Sequence, residues 1–337
     1  MTDSIYRNHM NEPKSQNLKP KSCILVTGSA GFIGFHVAKR LLEEGNTVIG
    51  LDNFNDYYDI TLKNTRNEIL EQFSSFHLYR GDLADLPLVE KIFADNKIDK
   101  VCHLGAQAGV RYSLTNPHAY IQSNLVGFTN VIDSAKRAGV LDFIYASSSS
   151  VYGDNEKTPF SVTDSVDHPV SLYAATKKAN ELIAYTYHHL YGMNCTGLRF
   201  FTVYGPYGRP DMAYFSFTRD ILEGKTIKVF NHGKMQRDFT YVDDIVDGIM
   251  KALDKSYPYE IFNLGNNKPV KLGHFIEVIE KALGKEAIKE YLPMQPGDVL
   301  ATYADIDHSR KMLGYEPKTS IEEGITNFIK WYREYYV

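Results

Sequence analysis

Cys23-Ile-Leu-Val-Thr27-Gly28-Ser-Ala-Gly31-Phe-Ile-Gly34-Phe-His-Val-Ala-Lys-Arg-Leu-Leu-Glu-Glu44 decides the fold of this 337-residue chain. The run Cys23–Thr27 is apolar without alternation, which predicts a strand buried on both faces. Ile33–Glu44 carries helical periodicity. Between them Gly28 permits a tight turn, Gly31 lets backbone amides approach a pyrophosphate, and Gly34 allows the helix to pack closely on the strand. The opening helix adds free N–H groups and partial positive charge for the phosphates. The next predicted strand, Thr47–Leu51, runs into Asp52. A carboxylate there accepts hydrogen bonds from adenosine ribose hydroxyls and repels a 2′-phosphate, which favours NAD over NADP.

Outward from this unit the texture repeats. Further strands are expected at Phe76–Tyr79, Lys100–Leu104, Asp142–Ser147 and Asn194–Phe200, with helices at Leu86–Ala94, about Ala119–Ala138 and the segment around Tyr173. Repeated βα units with uniformly apolar strands imply a doubly wound, parallel α/β fold. After about Phe201 the loops lengthen and gain Gly and Pro. Pieces are expected there at Tyr214–Glu223, Ile227–Phe230, Val242–Leu253, Leu272–Leu283 and Ile321–Tyr336. The expected organisation is a disordered tail over 1–20, a dinucleotide-binding domain over 21–200 to which later segments can return, and a smaller mixed α/β substrate lobe over 201–337.

A net charge of -4 with dispersed Lys and Arg gives no electrostatic footprint for nucleic acid. Cys23, Cys102 and Cys195 sit in strand-like runs with no C-x-x-C spacing, so buried free thiols are expected, with no disulfide framework and no metal site. No apolar run approaches the roughly 18 residues of a membrane span. Residues 1–20 are polar and lack the apolar core of a signal peptide. A soluble, cytoplasmic protein is expected.

Tyr173 and Lys177 lie four residues apart in Leu172-Tyr-Ala-Ala-Thr-Lys177-Lys-Ala-Asn-Glu-Leu-Ile183, on one face of a predicted helix. An ammonium beside a phenol favours the phenolate and lowers a pKa that is otherwise about 10. Bringing it near 7 takes roughly 4 kcal/mol, at about 1.36 per unit. One lysine seldom supplies that alone, so a second positive charge, such as an oxidised nicotinamide, is the natural partner.

Together, Gly28-x-x-Gly31-x-x-Gly34 and Tyr173-x-x-x-Lys177 resemble the extended short-chain dehydrogenase/reductase family, specifically its NAD-dependent sugar-nucleotide epimerases and dehydratases. The resemblance spans essentially residues 21–335 and implies a Rossmann-type fold. It implies NAD held by Gly28, Ala30, Gly31, Phe32, Ile33 and Gly34, with Asp52 at the ribose. Asp82 and Leu83 would border the adenine, Leu104, Gly105 and Ala106 would line the groove, and Asn124 would support the site from the long helix. Tyr173 and Lys177 would contact the cofactor and form the catalytic pair, with Ser148 bonding the reacting oxygen and Ser147 in local loop bonds.

The two positions after Ser148 discriminate among reactions. Dehydratases of this family carry adjacent acids there, because eliminating water needs a general acid, and UDP-glucuronate decarboxylases keep one glutamate. This chain has Ser149 and Ser150, which can hydrogen-bond a carboxylate that an acid would repel. Phe200-Phe-Thr202-Val-Tyr-Gly-Pro-Tyr-Gly-Arg209-Pro-Asp-Met-Ala213 resembles UDP-glucuronate 4-epimerases, whereas UDP-galactose 4-epimerases have Asn where Thr202 stands. Arg111 and Arg209 are candidate cations near the sugar or diphosphate, and Arg237 resembles the family's diphosphate-binding arginine. Lys228 and Phe230 fall on the strand that reads uracil in relatives, and Gln295 and Asp298 would flank the uridine ribose and phosphate. The galactose enzymes have Arg near Gln295.

The implied activity is reversible C4 epimerisation of UDP-glucuronate to UDP-galacturonate through a 4-keto intermediate, with tightly bound NAD, in polysaccharide biosynthesis. A 4-epimerase for UDP-glucose or UDP-N-acetylhexosamine stays open beside it, and so does a decarboxylase or 4,6-dehydratase, which Ser149 and Ser150 disfavour. Relatives form homodimers through the helices near 119–138 and 172–191.

Overall fold

A computed structural model describes residues 22–294 and 300–337, so the expected tail over 1–20, Gln295 and Asp298 lie outside the described residues. Seven parallel strands form the main sheet: β1 (Cys23–Thr27), β2 (Thr47–Asp52), β3 (Phe76–Arg80), β4 (Lys100–His103), β5 (Asp142–Ser148), β6 (Asn194–Phe200) and β7 (Tyr259–Leu264). Their spatial order is β7-β6-β5-β4-β1-β2-β3, all in parallel register. The order reverses between β1 and β4, and ligands of open α/β sheets bind at such a switch point, outside the carboxyl ends of the strands.

Period-two strand geometry sends alternate side chains into two cores. On β1, Ile24 and Val26 join one and Leu25 the other; on β5, Ile144 joins the first, Phe143 and Tyr145 the second. The first core is covered by α1 (Phe32–Glu43), α2 (Ile60–Leu70) and α6 (Val242–Leu253). The second lies under α3 (Leu86–Asp95), α4 (Gly127–Arg137) and α5 (Leu172–Tyr191).

The first core continues into the lobe built by helices Ala213–Leu222, Leu272–Leu283 and Ile321–Tyr336. Phe239 stacks on Phe275 at 4.1 Å, and Tyr214 meets Phe328 edge-on at 4.9 Å. Small strand pairs complete the lobe, Thr226–Phe230 with Ile288–Leu292 and Thr202–Tyr204 with Phe239–Tyr241.

Three departures from the sequence reading have physical causes. The helix expected over 119–138 is present, running without a gap from Pro117–Tyr120 into α4, but its stretch Ile121–Val126 is π-helical. Helix α2 was not foreseen, because its buried face carries Lys63, Arg66 and Asn67 and so hides the apolar stripe. Strand β7 was not foreseen either; it is an edge strand with Tyr259, Glu260 and Ile261 only half-buried and a fully buried Asn263. That amide accepts from the Tyr152 hydroxyl at 2.6 Å and donates to the carbonyls of Phe160 and Asp305.

Cys102 and Cys195 are buried free thiols, whereas Cys23 is half-buried. Among the described residues no helix is long and apolar enough to cross a membrane, and no group of three or more His, Cys, Asp or Glu is placed to hold a metal.

Candidate active site

The glycine loop owes its shape to close backbone approach. Gly28 has φ +70°, and a Cβ on it would lie 2.8 Å from Gly105 Cα. A Cβ on Gly34 would lie 2.0 Å from the Gly28 carbonyl oxygen, so helix and turn touch backbone to backbone. The Gly28 N–H donates to Leu51 O at 2.7 Å, and the Gly31 N–H to Gly28 O at 2.9 Å. Helix α1 starts at Gly31 with no side-chain cap, so its first N–H groups are not claimed by a capping side chain, as an anion site requires.

Asp52, at the end of β2, is buried, accepting from Ala30 N at 3.1 Å and Phe54 N at 2.8 Å. Asp82 accepts from Asn53 Nδ2 and Ala84 N, and Leu83 packs where a Cβ on Gly105 would stand. A cradle without Cβ atoms, an uncapped helix start and an acid at the end of the second strand fit a dinucleotide.

Behind this loop is a residue that sequence reasoning missed. Arg66 is fully buried, and its guanidinium donates to Ala30 O (2.9 Å), the Tyr58 hydroxyl (2.7 Å), Tyr207 O (2.6 and 3.1 Å) and Gly208 O (3.3 Å). One planar fork thereby ties the glycine loop to the segment that leads into Arg209. Lys63, one turn earlier, lines the cleft and donates to Asn55 O at 2.7 Å; burial pushes its pKa down. Cationic residues at i and i+3 of a helix with hydrophobic neighbours were the only available signal.

The carboxyl ends of β1, β4 and β5 open into a cleft of about 650 Å³. Tyr173, Lys177 and Ser148 line it together. Burial raises the Tyr173 pKa above its ordinary value, opposed by a hydrogen bond with Ser148 and by the charge of Arg209. Lys177 Nζ donates to Ala146 O at 3.0 Å, and burial pushes this lysine down to about 8. A lowered Tyr173 is therefore not what the protein's own groups produce: desolvation outweighs the Ser148 hydrogen bond and the charge of Arg209.

Asn124, on the π-helical turn, is buried outside the cleft lining. Its side chain accepts from Gln107 N (2.8 Å) and donates to Gln107 O (3.1 Å) and Thr176 Oγ1 (3.0 Å), clamping the loop after β4 to helix α5, which carries Tyr173. Ser147 donates to Glu181 at 2.7 Å, and Glu181 forms a buried fork with Arg199 at 2.8 and 2.9 Å. Burial pushes Glu181 up, but the Arg199 fork outweighs it and leaves the carboxylate below its usual range.

Of the cofactor residues named from sequence, Gly28, Gly31, Phe32, Ile33, Gly34, Asp52, Asp82, Leu83, Leu104 and Ala106 line this cleft, while Ala30 is buried beneath it. The substrate candidates divide. Ser149, Ser150, Thr202, Arg209 and Arg111 line the cleft. Lys228, Phe230 and Arg237 sit on the lobe outside its lining; Lys228 is exposed, and Arg237 donates to Gln236 O at 2.8 Å. Ser148 caps the 3₁₀ turn Ser149–Tyr152, accepting from Ser150 N at 3.1 Å.

Residues 24–265 match the NAD dependent epimerase/dehydratase family. UDP-glucuronate 4-epimerase 4 of Arabidopsis thaliana is 49% identical over 331 residues, covering 93% of this chain and 76% of the relative. The crystal structure of UDP-glucuronic acid 4-epimerase from Bacillus cereus, in complex with UDP-glucuronic acid and NAD, superposes with a TM-score of 0.86 at 34% identity, covering 93% of this chain and 100% of that one. UDP-glucose 4-epimerase from Thermotoga maritima, with UDP-glucose, gives 0.85 at 32% identity over 93% and 99%.

Proposed function

The chain belongs to the NAD dependent epimerase/dehydratase family, and from that premise we propose that it interconverts UDP-glucuronate and UDP-galacturonate by inverting C4. The observation that carries the proposal is the lining around Tyr173: Ser148, Ser149, Ser150 and Thr202 supply hydroxyls, Arg209 a cation, and the loop after β5 supplies no carboxylate. Such a wall accommodates a uronate, and its two positions after Ser148 carry no acid for the elimination of water.

Tyr173 removes the proton of the 4-hydroxyl, and Ser148 donates a hydrogen bond to the oxygen of the 4-keto sugar. NAD, which Gly28, Gly31, Gly34 and Asp52 would hold, would supply hydride acceptance and return at C4 and the further positive charge that favours the Tyr173 phenolate. Gly28, Gly31 and Gly34 let backbone N–H groups reach the pyrophosphate, with Asp52 at the ribose. The keto sugar then turns about the diphosphate and presents its other face, and Tyr173 returns the proton. Lys228, Phe230 and Arg237, with Gln295 and Asp298, hold the nucleotide while the sugar turns. Hydroxyl contacts from Ser149, Ser150 and Thr202 are weak enough individually to be exchanged during that turn.

Support for the uronate comes from the relatives: the Arabidopsis enzyme carries that activity in its name, and the Bacillus cereus structure holds UDP-glucuronic acid and NAD. The likeness to the Thermotoga enzyme keeps UDP-glucose as the competing substrate. Purified protein incubated with UDP-glucuronate and followed by NMR should form UDP-galacturonate without net NADH. Absence of that product, or NADH accumulating with turnover, overturns the proposal. Relative kcat/KM across UDP-glucuronate, UDP-glucose and UDP-N-acetylglucosamine separates the substrates.

A second copy of the chain is the proposed partner. Leu182 and Tyr185 on α5 are 58% and 51% exposed and Val126 beside α4 is 37% exposed, an apolar face of the kind that oligomers bury. Light scattering that reads a monomer at micromolar concentration would refute this.

A further inference from the structure

Arg209 reaches the cleft with part of its charge already answered. Its Nε donates to Asp211 Oδ1 at 3.0 Å and its Nη2 to Asp211 Oδ2 at 2.5 Å, a fork-to-fork pair. The Tyr57 hydroxyl donates to the same Asp211 Oδ2 at 3.1 Å, and the Tyr57 ring lies 5.8 Å from the guanidinium carbon. Tyr57 belongs to the loop after β2 and Asp211 to the lobe, so this bond spans the cleft mouth. All three residues line the cleft that holds Tyr173 and Thr202.

We propose that Asp211 tunes specificity and turnover by competing with the uronate carboxylate for the Arg209 fork; the proposal rests on the uronate reading above. A guanidinium has five donors in a rigid plane, and a carboxylate that takes two of them in parallel is held tightly. C4 inversion needs the opposite of tight holding, because the keto sugar must leave one orientation and adopt another between hydride transfers. A fully neutral wall, in turn, would not select a uronate over a neutral hexose. Asp211 resolves the two demands by leaving Arg209 as a partial charge that attracts the substrate carboxylate and then releases it. The pair is accessible enough to be exchanged, with side-chain exposures of 22% for Arg209 and 31% for Asp211. Asp211 is a positioning residue in this scheme and acts only through Arg209.

Asp211→Asn tests this, since it keeps shape and removes charge at a position that is not buried. The KM for UDP-glucuronate should fall about tenfold, worth about 1.4 kcal/mol, and kcat should fall with it as release of the carboxylate slows. The inhibition constant of UDP-glucose, which has no carboxylate, should stay within about twofold. An equal shift of the UDP-glucuronate KM and the UDP-glucose inhibition constant, a rise in KM, or a KM fall with kcat unchanged refutes the role of Asp211. Wild-type protein that does not convert UDP-glucuronate overturns the substrate reading itself, and that result is separate from any behaviour of the variant. Unchanged circular dichroism of Asp211→Asn ties either result to the site.

Discussion

Gly34→Ala sets two effects of opposite sign against each other. In a helix alanine is favoured over glycine by about 1 kcal/mol, so propensity alone would stabilise the protein. The new Cβ, however, would stand 2.0 Å from the Gly28 carbonyl oxygen and 2.8 Å from its carbon. Ordinary contact requires the two backbones to separate by roughly 1 Å or more, in an interior packed without slack. Gly28 cannot easily retreat. Its N–H is bonded to Leu51 O at 2.7 Å, its carbonyl accepts from Gly31 N at 2.9 Å, and it already abuts Gly105.

Overpacking of this kind costs about 1–3 kcal/mol, and losing one of those hydrogen bonds about 0.5–1.5 more. Against the gain of about 1, the net effect is destabilising by about 0.5–3.5 kcal/mol. It falls on the loop that would hold the pyrophosphate, so NAD affinity should drop by about tenfold or more, at about 1.4 kcal/mol per decade. Calorimetric titration of NAD and urea unfolding read the two effects. Gly273→Ala is the control: it is also in the first turn of a helix, Leu272–Leu283, but its Cβ would meet nothing nearer than Gly233 O at 3.7 Å. It should be neutral or stabilising by up to about 1 kcal/mol. If Gly34→Ala binds NAD within about threefold of wild type and unfolds at the same urea concentration, the packing argument for this glycine is wrong.

Arg66→Lys keeps the buried charge but loses the planar fork, so NAD should dissociate faster and KM should rise while the protein remains folded; unaltered NAD retention on dialysis would show that the link between loops has no functional weight. Glu181→Gln leaves Arg199 buried without its carboxylate and should cost about 3–5 kcal/mol in urea unfolding, whereas a loss under about 1 would mean that Arg199 finds another partner. Lys177, pushed down to about 8 by burial against about 10.4 unfolded, binds fewer protons in the folded state between those values. Stability should therefore gain from this residue as pH rises from about 8 to about 10, and Lys177→Met should remove that gain; parallel pH profiles of the two proteins would contradict the assigned burial.

The legible parts of this fold are those in which local pattern and tertiary role agree. Strand Cys23–Thr27, helix Val242–Leu253 and helix Leu272–Leu283 begin and end where the sequence places them, because their apolar periodicity matches the faces that are buried. Helix α2 and strand β7 escaped because polar side chains occupy their buried faces: Lys63, Arg66 and Asn67 on one, Asn263 on the other. Hydrophobic periodicity cannot register a helix whose interior contacts are hydrogen bonds to distant carbonyls. The π-helical turn at Ile121–Val126 is invisible for a different reason, since one extra residue per turn leaves composition unchanged while it brings Asn124 onto Gln107. The glycine loop, Asp52 and the Tyr173 region, picked out by local spacing, do line one cleft. The Arg209–Asp211–Tyr57 bridge was not legible in the sequence, because Tyr57 and Asp211 meet only through the fold.

The same distinction governs the chemistry of Tyr173. Sequence spacing places a lysine one turn away and suggests that it helps to activate the phenol together with a second positive charge. Burial acts in the other direction and dominates, with Ser148 and Arg209 as the opposing influences and Lys177 bonded to Ala146 O. A phenol held above its usual range is a weaker acid, so burial makes the phenolate that would take the proton harder to form. Proton removal is then efficient only when further positive charge is beside the ring, the circumstance in which a hydride acceptor is also in place. The Arg209 charge is one such influence, since it favours the phenolate of Tyr173. If Asp211 divides the Arg209 charge as proposed, its removal should alter the ionisation of Tyr173 as well as the hold on the substrate carboxylate.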